Sequence, residues 1–88
     1  MPYELKPSKD AIKFVEKLDG KMKSKLGAIF KVLKIDPLPF REYDLKKLKG
    51  TKNFYRVRIG KIRIIYEIRE LEQEIYIHFI GYRERAYE

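Results

Sequence analysis

Phe54-Tyr55-Arg56-Val57-Arg58-Ile59-Gly60-Lys61-Ile62-Arg63-Ile64-Ile65-Tyr66-Glu67-Ile68-Arg69 is the stretch that decides the fold. It is rich in β-branched and aromatic residues and is interrupted once, by Gly60-Lys61, so it reads as two strands joined by a tight turn. A two-residue loop with glycine first suits a type II′ hairpin. Cross-strand partners then have numbers that add to 121. Ile59 meets Ile62, Val57 meets Ile64 and Tyr55 meets Tyr66 on one face, while Arg58 meets Arg63 and Arg56 meets Ile65 on the other. One face is apolar and the other cationic.

Working outward, Glu74 to Ile80 reads as a third strand after a Glu70-Leu71-Glu72-Gln73 loop, completing an antiparallel meander. With a four-residue loop, partners add to 143, which aligns Ile68 with Ile75, Tyr66 with Ile77 and Ile64 with Phe79. The open face then keeps Arg56, Arg58, Arg63, Tyr76 and His78, with His78 beside Ile65 and near Arg56. Upstream, Asp44 to Lys49 reads as a short peripheral strand before a Gly50-Thr51-Lys52-Asn53 turn. Residues 36–43, with Pro37 and Pro39, form a connection.

The N-terminal third has a helical period. Residues 3–6 alternate as a first strand; Ser8 caps a helix over 9–19 carrying Ala11, Ile12, Phe14, Val15 and Leu18; and Gly20 ends or interrupts it. Met22, Leu26, Ile29, Phe30 and Leu33 mark a second helix that runs to Asp36, before Pro37. The apolar sheet face is expected to receive Phe14, Val15, Leu18, Leu26, Ile29 and Phe30. The fold class is therefore α+β: an N-terminal strand, a helical hairpin, then an antiparallel β-meander with both helices on one sheet face. At 88 residues the chain is expected to be one domain over 1–88, since two cores would each be too small.

Composition narrows the chemistry. The chain has no cysteine and one histidine, which excludes disulfides, thiol catalysis and thiolate or multi-histidine metal sites. No cofactor is implied. The start of the chain lacks the apolar core of a signal peptide, and no run approaches a membrane span, so a cytoplasmic protein with no membrane partner is expected. Lys and Arg number 21 against 13 Asp and Glu. From Lys46 to Arg63 there are eight basic residues, Lys46, Lys47, Lys49, Lys52, Arg56, Arg58, Lys61 and Arg63, and no carboxylate. Removing these eight leaves 13 basic against 13 acidic residues, so the whole excess lies in this segment. It points to a polyanionic partner.

Arg58 opposite Arg63 is the most informative pair, because like charges across a strand pair are destabilising. A phosphate between them removes the conflict, and arginine's forked donors match it; the alternative is that both side chains turn to water or to Glu67 and the acidic loop. His78 is an acid–base candidate if it lies near the arginines. No P-loop, G-x-S-x-G or H-E-x-x-H pattern is present.

Lys47-Leu48-Lys49-Gly50, the run from Phe54 to Tyr66, and Gly81-Tyr82-Arg83-Glu84-Arg85-Ala86-Tyr87 together resemble the RelE branch of the RelE/ParE toxin superfamily. The resemblance implies the toxin of a type II toxin–antitoxin system: a ribosome-dependent endoribonuclease that enters the ribosomal A site and cuts the mRNA codon there. It implies Arg56, Arg58, Arg63 and Arg83 as catalytic cations, with Tyr87 as a candidate base. Lys46, Lys47, Lys49, Lys52, Lys61 and Arg85 would bind RNA or ribosome, and the partner would be a RelB-like antitoxin. Some members carry lysine where this chain has Arg56 and Arg58, and the general base stays open. Two other readings share the basic sheet, a non-catalytic nucleic-acid-binding module and a ParE-like toxin acting on gyrase.

Overall fold

The computed structural model describes residues 2–82. In chain order the elements are β1 (Glu4–Pro7), α1 (Lys9–Glu16), α2 (Gly20–Ile35), β2 (Asp44–Lys47), β3 (Phe54–Ile59), β4 (Ile62–Arg69) and β5 (Glu74–Gly81). The five strands form one sheet in the order β1-β5-β4-β3-β2. β1 pairs parallel with β5 and the other neighbours are antiparallel.

The central hairpin has the expected register throughout, from Phe54 opposite Glu67 to Ile59 opposite Ile62. Its turn works because Gly60 sits at φ +58°, in the left-handed region, and Lys61 does not. That is the type II′ pattern with its glycine where a Cβ would be strained.

The helices cover one sheet face. Leu26, Ile29 and Leu33 of α2 and Ala11 of α1 are buried against Val57, Ile62, Ile64, Tyr66, Ile68, Ile75, Ile77 and Ile80. Phe14, Val15, Leu18 and Phe30 pack around this cluster half-buried, as the helical spacing predicts. Tyr66 is fully buried, yet its hydroxyl donates to the Pro37 carbonyl at 2.7 Å and so fastens the α2–β2 connection to the core. Burial, with the electrostatic influence of Tyr55 and Asp36, pushes that hydroxyl well above its ordinary value and keeps it a neutral donor.

Several boundaries depart from the sequence reading: β1 runs Glu4–Pro7 rather than over 3–6, because Pro7 continues the parallel pairing opposite Ile77, and β5 extends to Gly81, which pairs with Arg63. Helix α1 ends at Glu16, and Lys17 and Leu18 turn back onto the Phe14 and Val15 carbonyls at 3.2 and 3.1 Å. Gly20 does not break a helix. It is the first residue of α2, because the Asp19 carboxylate caps that helix by accepting from the Met22 N–H at 2.8 Å. Strand β2 stops at Lys47, after which Leu48 N–H donates to Phe54 O at 3.0 Å and the Thr51 hydroxyl donates to Leu48 O at 2.8 Å.

The consequential departure lies in β5. Pairing adds to 143 from Arg69 with Glu74 to Tyr66 with Ile77, then shifts by one, so that Ile65 faces Phe79, Ile64 faces Ile80 and Arg63 faces Gly81. Residue 78 is the extra one of a β-bulge. Ser8 holds it: its N–H donates to Ile77 O at 2.9 Å and its hydroxyl to His78 O at 3.2 Å. The same hydroxyl oxygen accepts from Ala11 N–H at 3.1 Å, so one side chain caps α1 and satisfies the carbonyl freed by the bulge. The expected match of Ile64 with Phe79 is thus corrected: Ile80 turns to the helices and Phe79 to the open face.

Removing the Tyr66 hydroxyl leaves the half-buried Pro37 carbonyl without this donor. Tyr66→Phe is expected to lower stability by about 1–2 kcal/mol, read as a shift in urea midpoint with unchanged slope.

Candidate nucleic-acid interface

On the face away from the helices, register places residues in rows across the strands. One row runs Asp44, Arg58, Arg63, Gly81, and the next runs Lys46, Arg56, Ile65, Phe79. A third holds Phe54, Glu67, Tyr76 and, at the β1 edge, Lys6, which pairs with Glu4 and Glu74, with His78 inserted by the bulge. Rows repeat about every 7 Å along the strands. The first two hold four cations, Lys46, Arg56, Arg58 and Arg63, against the single carboxylate of Asp44.

Arg58 does face Arg63, as the turn requires. Its charge is balanced within the protein, however. Arg58 Nη2 lies 3.1 Å from Asp44 Oδ2, in a pair with side chains 44% and 51% exposed. A pair this open contributes about 0–1 kcal/mol, so it steadies the Arg58 side chain more than it stabilises the fold. It leaves most of the five guanidinium N–H donors for another acceptor. The alternatives of water, Glu67 or the acidic loop for Arg58 are thereby replaced by a carboxylate from β2.

Gly81 shapes the end of the first row. A Cβ there would stand 2.7 Å from Phe79 Cζ, so the aromatic ring lies across the glycine. Ile65, between Arg56 and Phe79 in register, is fully buried although it is on this face. The arginine rows therefore stand on a packed floor, which limits where their side chains go.

The lysines divide. Lys46 shares a row with Arg56, and Lys61 is in the exposed turn next to Arg58 and Arg63. Lys47 is in register with Tyr55, on the other face of the sheet, and Lys49 and Lys52 belong to the β2–β3 connection. That connection and the Gly60-Lys61 turn are at opposite ends of β3, about 20 Å apart by strand rise. Arg83, Arg85 and Tyr87 lie outside the described residues.

His78 is not beside Ile65. The bulge sends its Nε2 to Glu67 Oε1 at 2.9 Å and stacks its ring on Phe54, with centroids 5.0 Å apart. Glu67 also meets Arg69, Oε1 at 3.3 Å from Nη2 and Oε2 at 3.3 Å from Nε. Burial opposes ionisation of Glu67, but the hydrogen bonds from His78 and Arg69 outweigh it and hold the carboxyl below its ordinary value of 4.5. Asp44, Glu67, Arg69 and Ser8 are the residues that sequence reasoning missed here. Asp44 stands directly opposite Arg58, but the β2–β3 connection does not define that register in the sequence.

A carboxyl with a lowered folded value contributes stability above its unfolded value, and loses it as pH falls through the folded one. Glu67→Gln is therefore expected to be less stable than wild type at pH 7. The two denaturation midpoints should converge as pH drops below the ordinary carboxylate range. A gap that stays constant from pH 7 to pH 3 would contradict the ionised pairing.

The sequence matches the family described as ParE toxin of type II toxin-antitoxin system, parDE, over residues 5–87. It is 34% identical over 87 residues to "Putative toxin RelE1" of Methanocaldococcus jannaschii, covering 99% of this chain and 97% of that one. The fold is similar to that in the crystal structure of the archaeal RelE-RelB complex from Pyrococcus horikoshii OT3, with TM-score 0.85 and 30% identity over 98% of this chain and 100% of that one. It is also similar to a chain of the intact E. coli RelBE toxin-antitoxin complex, TM-score 0.77 with 20% identity, covering 94% and 99%. With the match running through nearly the whole chain, this protein belongs to the RelE/ParE toxin superfamily of type II toxin–antitoxin systems and is of the RelE type.

Proposed function

We propose that the chain is a ribosome-dependent mRNA endoribonuclease, one domain over 1–88, that is silenced by a RelB-like antitoxin. The observation that carries this is Arg58 facing Arg63 on an open sheet face, flanked by Lys46 and Arg56. Two forked cations across one strand pair match a phosphodiester. Relatives of this fold have been solved in complex with RelB, which supports a cognate antitoxin for this chain.

RNA carries its own nucleophile. The ribose 2′-oxygen bonds to the adjacent phosphorus, the bond from phosphorus to the 5′-oxygen breaks, and a 2′,3′-cyclic phosphate and a 5′-hydroxyl result. The 2′-hydroxyl proton leaves to a base and the 5′-oxygen gains one. Arg58 and Arg63, joined by Arg83, stabilise the extra negative charge of the phosphorane, a contribution that often dominates such steps. Asp44 aligns Arg58 for that role. Arginine stays protonated and is a poor base, so Tyr87 is the candidate for proton removal. His78 is engaged by Glu67 on the third row and is not assigned this task.

Orientation of the scissile nucleotide is left to the ribosome, whose A site holds the codon in reactive geometry. Such a target requires a cytoplasmic protein. No helix among the described residues is long and apolar enough to cross a membrane. Lys61 and Lys46 add phosphate contacts next to the arginines, while Lys47, Lys49, Lys52 and Arg85 serve the wider ribosomal surface.

The test is to add the purified protein to programmed ribosomes and map mRNA 5′ ends. New ends at the A-site codon are expected, with the same mRNA left intact in free solution. Equal cutting of free mRNA would contradict ribosome dependence. Gyrase-linked DNA breaks in place of mRNA ends would identify the ParE-like alternative.

A further inference from the structure

The third row of the open face has no part in the phosphate chemistry, yet it is built from flat rings. Phe54 and His78 are stacked at 5.0 Å with planes 20° apart, and His78 and Tyr76 at 6.2 Å with planes 23° apart. Nearly parallel rings at these centroid distances are offset rather than face to face. The Arg69 guanidinium closes the Tyr76 end, 3.8 Å from the ring centroid. The column is thus Arg69, Tyr76, His78, Phe54, and Glu67 ties its first and third members together.

This ladder is half-buried on the solvent side of the sheet, with the His78 side chain 29% exposed, rather than enclosed in the core. Its charges cancel internally, since the one carboxylate, Glu67, is matched by Arg69. On one side lies the Lys46–Arg56 row, two residues along β3. On the other lies the β4–β5 turn bearing Glu70 and Glu72, which repels a phosphate backbone, while Glu74 at the start of β5 is met by Lys6 at 3.8 Å. A single RNA strand presents phosphates and flat apolar bases in alternation. Basic rows followed by a neutral aromatic strip have the matching order, and the acidic turn marks where the strand stops or leaves.

We propose that the Phe54–His78–Tyr76 ladder is a nucleobase subsite, which stacks a base flanking the nucleotide whose phosphate lies on the arginine rows. The inference rests on the RNA reading of those rows. From the Arg58–Arg63 row to the ladder is four residues of strand, about 13 Å, so the stacked base is not the one at the scissile bond. Phe54, His78 and Tyr76 are then specificity residues for the flanking position, and purines, with the larger π-surface, are favoured there.

The test is direct binding of the intact protein to two short single-stranded RNAs with 2′-O-methyl riboses that prevent cleavage, one complete and one abasic at a single internal position. Side-chain NMR signals of Phe54, Tyr76 and His78 are followed alongside affinity. The complete RNA is expected to move these ring signals and to bind roughly fivefold to a hundredfold more tightly than the abasic one, the range of one base stacked on an aromatic. Tyr76→Leu should remove most of that difference, and Tyr76→Phe, which keeps the ring, should restore it; far-UV and near-UV circular dichroism check that both are folded. Equal affinity for the two RNAs, no binding of either, or ring signals that respond only to antitoxin would each overturn the subsite. None of these outcomes bears on the nuclease, which fails separately if wild-type protein leaves ribosome-bound mRNA uncut.

Discussion

The pairing of β3 with β4 through Gly60-Lys61 is the constraint on which the rest depends. A two-residue turn allows one register, and that register sends Val57, Ile62, Ile64 and Tyr66 to the helices while bringing Arg58 against Arg63 on the other side. A slip of one residue would exchange the faces, exposing the core and burying the guanidinium groups. Burial of the apolar set therefore fixes the position of the cationic set. The stability of the core and the geometry of the arginine rows are consequences of one turn.

The bulge at residue 78 adds a second level of control. Without it, Ile80 would face the arginines and Gly81 would point at the helices. With it, Gly81 lies opposite Arg63 and accommodates the Phe79 ring, and His78 joins Glu67 in the aromatic ladder. Ser8 secures the arrangement from 70 positions away in sequence, through both its backbone and its hydroxyl. Helix α1 is thereby fastened to the strand whose outer side chains complete the open face. The division of that face into a charged half and an aromatic half is set by this contact rather than by strand alternation alone.

What was legible in the sequence followed from local rules. The β3–β4 register was readable because a glycine-first turn specifies it, and the helical faces because Leu26, Ile29, Phe30 and Leu33 keep a 3.6-residue period. The convergence of Arg56, Arg58 and Arg63 came directly from that register. What was not legible depended on distant partners. Asp44 meets Arg58 across a connection whose length does not define a register, and this removed the uncompensated repulsion expected between the arginines. The bulge left one trace, the adjacent apolar pair Phe79-Ile80 that breaks alternation, but its cause is Ser8. Lys47, Lys49 and Lys52 were contiguous with the site in sequence, yet strand alternation and strand length carry them away from it. Gly20 looked like a terminator because its role depended on the carboxylate before it.

The central claim is that the arginine pair acts on the reacting phosphate rather than on the fold. It is tested most directly by single-turnover mRNA cleavage at saturating programmed ribosome, measured for Arg58→Gln and Arg63→Gln together with their denaturation midpoints. Arg58→Gln gives up an exposed ion pair with Asp44, a contact of about 0–1 kcal/mol, so stability should stay within about 1 kcal/mol of wild type. The maximal cleavage rate should nevertheless fall far more than ribosome affinity, as it does when an interaction is made chiefly in the transition state. Variants that unfold readily but cut at the wild-type rate when folded would show the pair to be structural and would contradict the account.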